Sequence, residues 1–135
     1  MLTLSHALRA IFGAKLIPES LNMQKLTSLD GWTACLEASR TRPVLVFKHS
    51  TSCPISTEAH RQVAAYAESA AESDPPVYMV RVIEERPISN QIADDLGLQH
   101  KSPQLILLQD GRPAWNASHY GIQAKAIRDA IPAQT

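Results

Sequence analysis

One junction constrains the fold of this chain more than any other feature. Pro43 opens the run Val44-Leu45-Val46-Phe47, four apolar residues in succession. A polar stretch, Lys48 to Ser52, follows, and then Cys53-Pro54. From there Ile55, Ala59, Val63, Tyr66, Ala67 and Ala70 fall on one helical stripe, which Asp74-Pro75-Pro76 ends. An unbroken apolar run suits a strand covered on both faces. A long apolar stripe at helical spacing needs a core to lie on. A second β-branched apolar run, Val77 to Val82, follows the helix. Strand, helix and strand in that order predict a right-handed parallel crossover.

The remaining punctuation fills in an α/β domain. Asp30-Gly31 precedes a helix over Trp32 to Ser39, with Trp32, Cys35 and Leu36 on one side. Ile88 to Leu96 reads as a shorter helix stopped by Gly97. Leu105 to Leu108 is a further strand, and Asp110-Gly111 is a hairpin turn that returns Arg112 to Asn116 as its partner. Gly121 to Ile131 closes the chain as a helix, and a short strand is expected near Lys25 to Thr27. The expected architecture is a mixed sheet with helices on both faces. No internal repeat or second domain is visible, and 135 residues suit one core.

Composition narrows the function classes. Lys plus Arg number 13 and Asp plus Glu number 13, so the net charge is zero and there is no basic footprint for nucleic acid. Two cysteines, Cys35 and Cys53, are too few for a disulfide scaffold or a four-thiolate zinc site. No apolar run reaches the ~18–20 residues that span a bilayer.

Residues 1–22 read as an N-terminal amphipathic extension, with Leu4, Ala7, Leu8, Ile11 and Phe12 at helical spacing and Pro18 as the stop. His6 and Arg9 interrupt the apolar core that a secretory signal needs. A membrane-surface helix here would be short and only weakly basic. Packing of this extension on a domain over residues 23–135 is the expected arrangement. Met23 opens a segment that could be complete on its own, which makes it an alternative start.

Cys53 is the candidate for chemistry. It stands after a strand and at the start of a long helix, where unpaired N–H groups and the helix dipole favour a thiolate. Pro54 suits the first helical turn, which needs no N–H from it, and Ser52 or Thr51 could cap the helix. The plainer alternative is an inert buried thiol, against which the polar run His49-Ser50-Thr51-Ser52 argues for exposure. Cys35 is expected as a small core residue. His49 reads as a strand-end or loop histidine that could help hold a thiolate. His60 adds too little for a metal site, and none is assigned. A phosphatase-type loop would need Arg six residues after Cys53, where Ala59 stands. His119 faces either the loop before the third strand or solvent, and Glu84-Glu85 is expected as a solvated strand end.

The sequence Cys53-Pro54-Ile55-Ser56 between strand and helix resembles the thioredoxin superfamily, in the C-x-x-S variant of its C-x-x-C motif. Ser102-Pro103, just before the strand from Gln104, resembles the superfamily's cis-proline, which faces the catalytic cysteine. The longer string Lys48-His49-Ser50-Thr51-Ser52-Cys53-Pro54-Ile55-Ser56 is similar to the YtxJ family of monothiol bacilliredoxins, whose motif is T-C-P-I-S. Ser52 replaces the usual Thr. His100-Lys101-Ser102-Pro103-Gln104 and Trp115-Asn116-Ala117-Ser118-His119 also resemble that family, and the likeness covers roughly residues 23–130.

The resemblance implies a thioredoxin-like fold and a cytoplasmic thiol–disulfide oxidoreductase that removes bacillithiol from protein mixed disulfides. It implies Cys53 as nucleophile, with Ser56 beside it donating a hydrogen bond toward its sulfur. Pro54, Ser102, Pro103 and Ser52 would bind substrate. Bacillithiol would serve as co-substrate with no bound cofactor, S-bacillithiolated proteins would be clients, and a monomer is expected. Two other readings stay open: a redox-inactive thioredoxin-like binding module, and a generic glutathione- or thioredoxin-linked reductase.

Overall fold

The structure, a computed structural model, describes residues 23–132, so the expected extension over 1–22 lies outside the described residues. The elements run β1 (Met23–Lys25), α1 (Leu29–Ala38), β2 (Val44–His49), α2 (Pro54–Ser69), β3 (Val77–Arg81), α3 (Arg86–Leu96), β4 (Gln104–Gln109), β5 (Arg112–Ser118), a 3-10 turn (His119–Gly121) and α4 (Ala124–Ala130). The sheet order is β1-β3-β2-β4-β5. β1, β3 and β2 are parallel, whereas β4 runs antiparallel to both β2 and β5. This is the expected mixed sheet.

Alternation along the central strands sends side chains into two cores. Leu45, Phe47, Leu105 and Leu107 meet Ala59, Val63 and Tyr66 of α2 and Ile127 of α4. Val44, Val46, Ile106 and Leu108 meet Trp32 and Cys35 of α1 and Ile88 and Ile92 of α3. With both faces covered, β2 is buried over its whole length, as its apolar run predicts.

Two glycines end elements where the sequence places them. Gly97 takes a φ of 60° and terminates α3. Asp110 and Gly111 take φ values of 56° and 76°, the two left-handed residues of a tight hairpin turn. That turn is pinned from below. Asp110 N donates to Ser39 O at 2.7 Å, and Gly111 N donates to Ser39 Oγ at 2.9 Å.

Several boundaries differ from expectation: the first helix starts at Leu29 and contains Asp30-Gly31, the third starts at Arg86, and β5 runs on to Ser118. Three further differences bear on the site or its frame. The final helix begins at Ala124 rather than Gly121, because His119–Gly121 forms a 3-10 turn first. The short strand comes earlier, at Met23–Lys25, where it pairs with Val77 to Met79. The third difference is functional. Lys48 and His49 belong to β2, not to a polar loop, and both are buried. Lys48 pairs with Val80 on one side and Gln104 on the other. A polar side chain can stay in a central strand only when a partner meets it, and both residues have one.

Candidate active site

The end of β2 delivers the chain to Cys53, which is the N-cap residue of α2 with extended backbone angles. Pro54 follows in the first turn, where its missing N–H costs nothing. The expected caps, Ser52 and Thr51, do not fill that role, because no side chain caps this helix. Thr51 instead donates to Glu84 Oε2 at 3.3 Å. The N-cap side chain is the one placed to accept from the N–H groups of the first turn. Here that side chain is a thiol, and it makes no cap hydrogen bond. The first turn of α2 carries no acidic residue. Cys53 is half-buried, Ser52 and Pro54 are exposed, and Ser56 is fully buried.

Ser56 is held from behind. Its Oγ accepts from Ser50 N at 2.9 Å and lies 2.7 Å from His49 Nδ1. Burial, then the neighbouring His60, pushes the His49 imidazole down to about 4, while Glu84 works in the opposite direction. His49 Nδ1 and Ser56 Oγ share this hydrogen bond, and the tautomer of the neutral ring decides which of the two donates. The Ser56 hydroxyl, expected to bond toward the Cys53 sulfur, has His49 and Ser50 as its hydrogen-bond partners. The reason is steric order. His49 points to the same face as Phe47, stacks on it with ring centroids 5.3 Å apart, and meets the first turn of α2 at Ser56. His60 adds a second ring 4.9 Å from His49.

Across β2 lies the other half of the site. The Lys48–Gln104 pair fixes β4 beside the end of β2. Immediately before Gln104, the Ser102-Pro103 bond is cis, as expected. Pro103 is buried, and its carbonyl accepts from His119 N at 3.1 Å. His119 thus braces this loop through its backbone, with its side chain exposed. Ser102 Oγ is buried and, among the described residues, is the buried side-chain polar atom without a hydrogen-bond partner. An unmet hydroxyl of this kind is costly to fold unless something else meets it.

The second thiol is elsewhere. Cys35 is buried in α1 against the core on the opposite face of the sheet from α2. Burial pushes its thiol up to about 12. Glu85 is not the solvated residue expected, since it holds Arg81 at 2.6 Å. Lys48 and His100 carry no assigned role in the sequence reading, although both fall inside the strings that carried the resemblance. They meet at 3.1 Å.

A cysteine at the N-cap of the helix that follows a central strand, on a mixed sheet with helices on both faces, defines an oxidoreductase of thioredoxin fold. Solved structures agree. One described as a candidate oxidoreductase with a thioredoxin fold is 31% identical, with a TM-score of 0.73 over 83% of this chain and 96% of its own. Thioredoxin from Fasciola hepatica shares 15% identity at a TM-score of 0.64, over 79% of this chain and 94% of its own. Mitochondrial thioredoxin 3 from Saccharomyces cerevisiae shares 14% at 0.63, over 84% and 97%. The last two likenesses show the fold alone. The family model for monothiol bacilliredoxin BrxC matches residues 24–127, and the chain belongs to that family. Among the described residues no helix is long and apolar enough to cross a membrane.

Proposed function

We propose that the protein removes bacillithiol from mixed disulfides on other proteins, with Cys53 as the only reacting thiol. The Cys53 thiolate attacks the bacillithiol sulfur. A new S–S bond joins Cys53 to bacillithiol, the old S–S bond breaks, and the client leaves as a thiolate. A second bacillithiol then attacks the bacillithiol sulfur of the new disulfide, releasing oxidised bacillithiol and restoring Cys53. Bacillithiol is thus a co-substrate, and no resident cofactor takes part. Pro54 and Ser52 flank the sulfur on the exposed side. Ser102 and Pro103 form the docking loop, with the unmet Ser102 hydroxyl free to bond the incoming disulfide's backbone or sugar. Ser56 acts as a positioning residue through His49. In this reading the protein works as a monomer in the cytoplasm, on S-bacillithiolated clients and not on nucleic acid.

The observation that carries the monothiol reading is the separation of the two cysteines. One lies at the mouth of the sheet and the other in the core of the opposite face. A disulfide needs its Cα atoms within about 7 Å, and the sheet stands between these two. Ser56 occupies the position from which a resolving thiol would attack. The mixed disulfide therefore has no internal competitor and waits for an external thiol. Incubation with oxidised bacillithiol followed by intact mass measurement tests this. A gain of one bacillithiol on the wild type and on Cys35→Ala, absent from Cys53→Ser, is expected. A loss of two hydrogens with a Cys35–Cys53 peptide would show a dithiol enzyme instead. No adduct at all would leave a redox-inactive module.

A further inference from the structure

Lys48 is fully buried in the central strand, yet no carboxylate pairs with it among the described residues. An ammonium without a counter-charge in such a place is strongly disfavoured, which a purely structural role would avoid with an apolar residue. Its partner is a ring nitrogen, Nδ1 of His100, at 3.1 Å, and Ser89 Oγ lies 3.4 Å from the same atom. An ammonium only donates, so Nδ1 accepts and the ring proton sits on Nε2. His100 is exposed as a residue, and its Nε2 makes no hydrogen bond among the described residues. The charges that act on the ring are Lys48 and Arg86, both cations. Arg86 opens α3, is exposed, and has no ion pair among the described residues. The nearby acids are engaged elsewhere, Glu85 with Arg81 and Glu84 with Thr51. This cluster sits two residues before Ser102, on the docking loop, and next to the strand that ends at the Cys53 loop.

We infer that His100 Nε2, backed by Lys48 and flanked by Arg86, forms a subsite for the carboxylate of the low-molecular-weight thiol that becomes joined to Cys53. The inference rests on the thiol exchange proposed above and adds the charge class of the thiol. His100 is the contact, because Lys48 cannot be reached. The buried ammonium polarises the ring so that its outward N–H is a stronger donor to an anion. The anion in turn supplies the counter-charge that Lys48 lacks. Ser102, with its unmet hydroxyl, lies between this subsite and the cis-proline along the chain.

The test compares three small disulfides that differ in charge: dithiodipropionate, hydroxyethyl disulfide and cystamine, which are anionic, neutral and cationic. The rate of adduct formation at Cys53 is followed by intact mass. The wild type should favour dithiodipropionate over cystamine, and added salt should reduce that preference. The variant His100→Ala with Arg86→Ala should lower the rate ratio by about tenfold, the size of one charge-assisted hydrogen bond at a partly exposed site. His100→Gln, which keeps an amide donor beside Lys48 and Arg86 but loses the polarised ring N–H, should fall between the two. An unchanged ratio, or an equal slowing with all three reagents, would overturn the subsite and leave the cluster as a pin for the loop. Absence of any adduct on the wild type, with all three reagents, would instead remove the thiol chemistry on which the subsite depends.

Discussion

The hydroxyl of Ser56 lies 2.7 Å from Nδ1 of His49, so the residue three positions after the nucleophile is bonded back to the strand that delivers it. The first turn of α2 is thereby tied to the end of β2 by side chains as well as by the connecting loop. Ser50 N closes the same ring of contacts at 2.9 Å. This pair adds to the backbone bonds that hold Cys53 directly, from Cys53 N to Ser50 O at 3.3 Å and from Thr57 N to Cys53 O at 2.9 Å.

Ser56→Ala should destabilise the fold by about 2 kcal/mol, since it leaves a half-buried N–H and a buried ring nitrogen without their partner. Urea denaturation of the variant measures this. The thiol reaction should slow less than it does in Cys53→Ser, which removes it. Stability equal to that of the wild type would show that the contact is worth little.

The His49 imidazole sets an acid limit. It stays neutral in the folded protein down to about 4, whereas the unfolded chain protonates it near 6.5. The unfolded state therefore holds more protons between those values. Stability is full above 6.5 and falls as pH drops toward 4, by up to about 1.4 kcal/mol per pH unit for this group. Glu85, held low first by its hydrogen bond from Arg81, adds its own loss only below the ordinary glutamate range of 4.5. Denaturant midpoints at pH 7, 6 and 5 should show the slope, and His49→Asn should flatten it over that range.

Alkylation should separate the cysteines. Iodoacetamide at pH 7 is expected to label Cys53 alone, because Cys35 is buried and its thiol is held up to about 12. Peptide mapping after a short exposure decides the matter. Labelling of Cys35 under native conditions at a comparable rate would contradict its placement.

The hairpin turn offers a test of backbone conformation. Gly111 has a φ of 76°, and a Cβ there would stand 3.1 Å from an Arg40 guanidinium nitrogen. Gly111→Ala should cost about 1–2 kcal/mol for the left-handed backbone, with the arginine free to move aside. A thermal melt gives the value, and the thiol reaction should be unaffected because the turn lies at the opposite end of β4 from Pro103.

Local signals in the sequence determined most of the framework. The apolar run Val44 to Phe47, the stripe from Ile55, the stop at Gly97 and the turn at Asp110-Gly111 each act over a few residues, and each stands where the pattern put it. Cys53 at the head of a helix and Cys35 in the core were legible for the same reason. Lys48 and His49 were not. A polar residue after an apolar run is ordinarily the end of a strand, and it continues one only if a partner arrives from elsewhere. For Lys48 that partner is His100, 52 positions away, and for His49 it is the hydroxyl of Ser56 in a different element. The partners of Ser56, the capping of α2 and the cationic cluster beside the docking loop were settled the same way. Periodicity reports which face a residue occupies, but the partner of a buried polar group is fixed only when the sheet brings distant segments together.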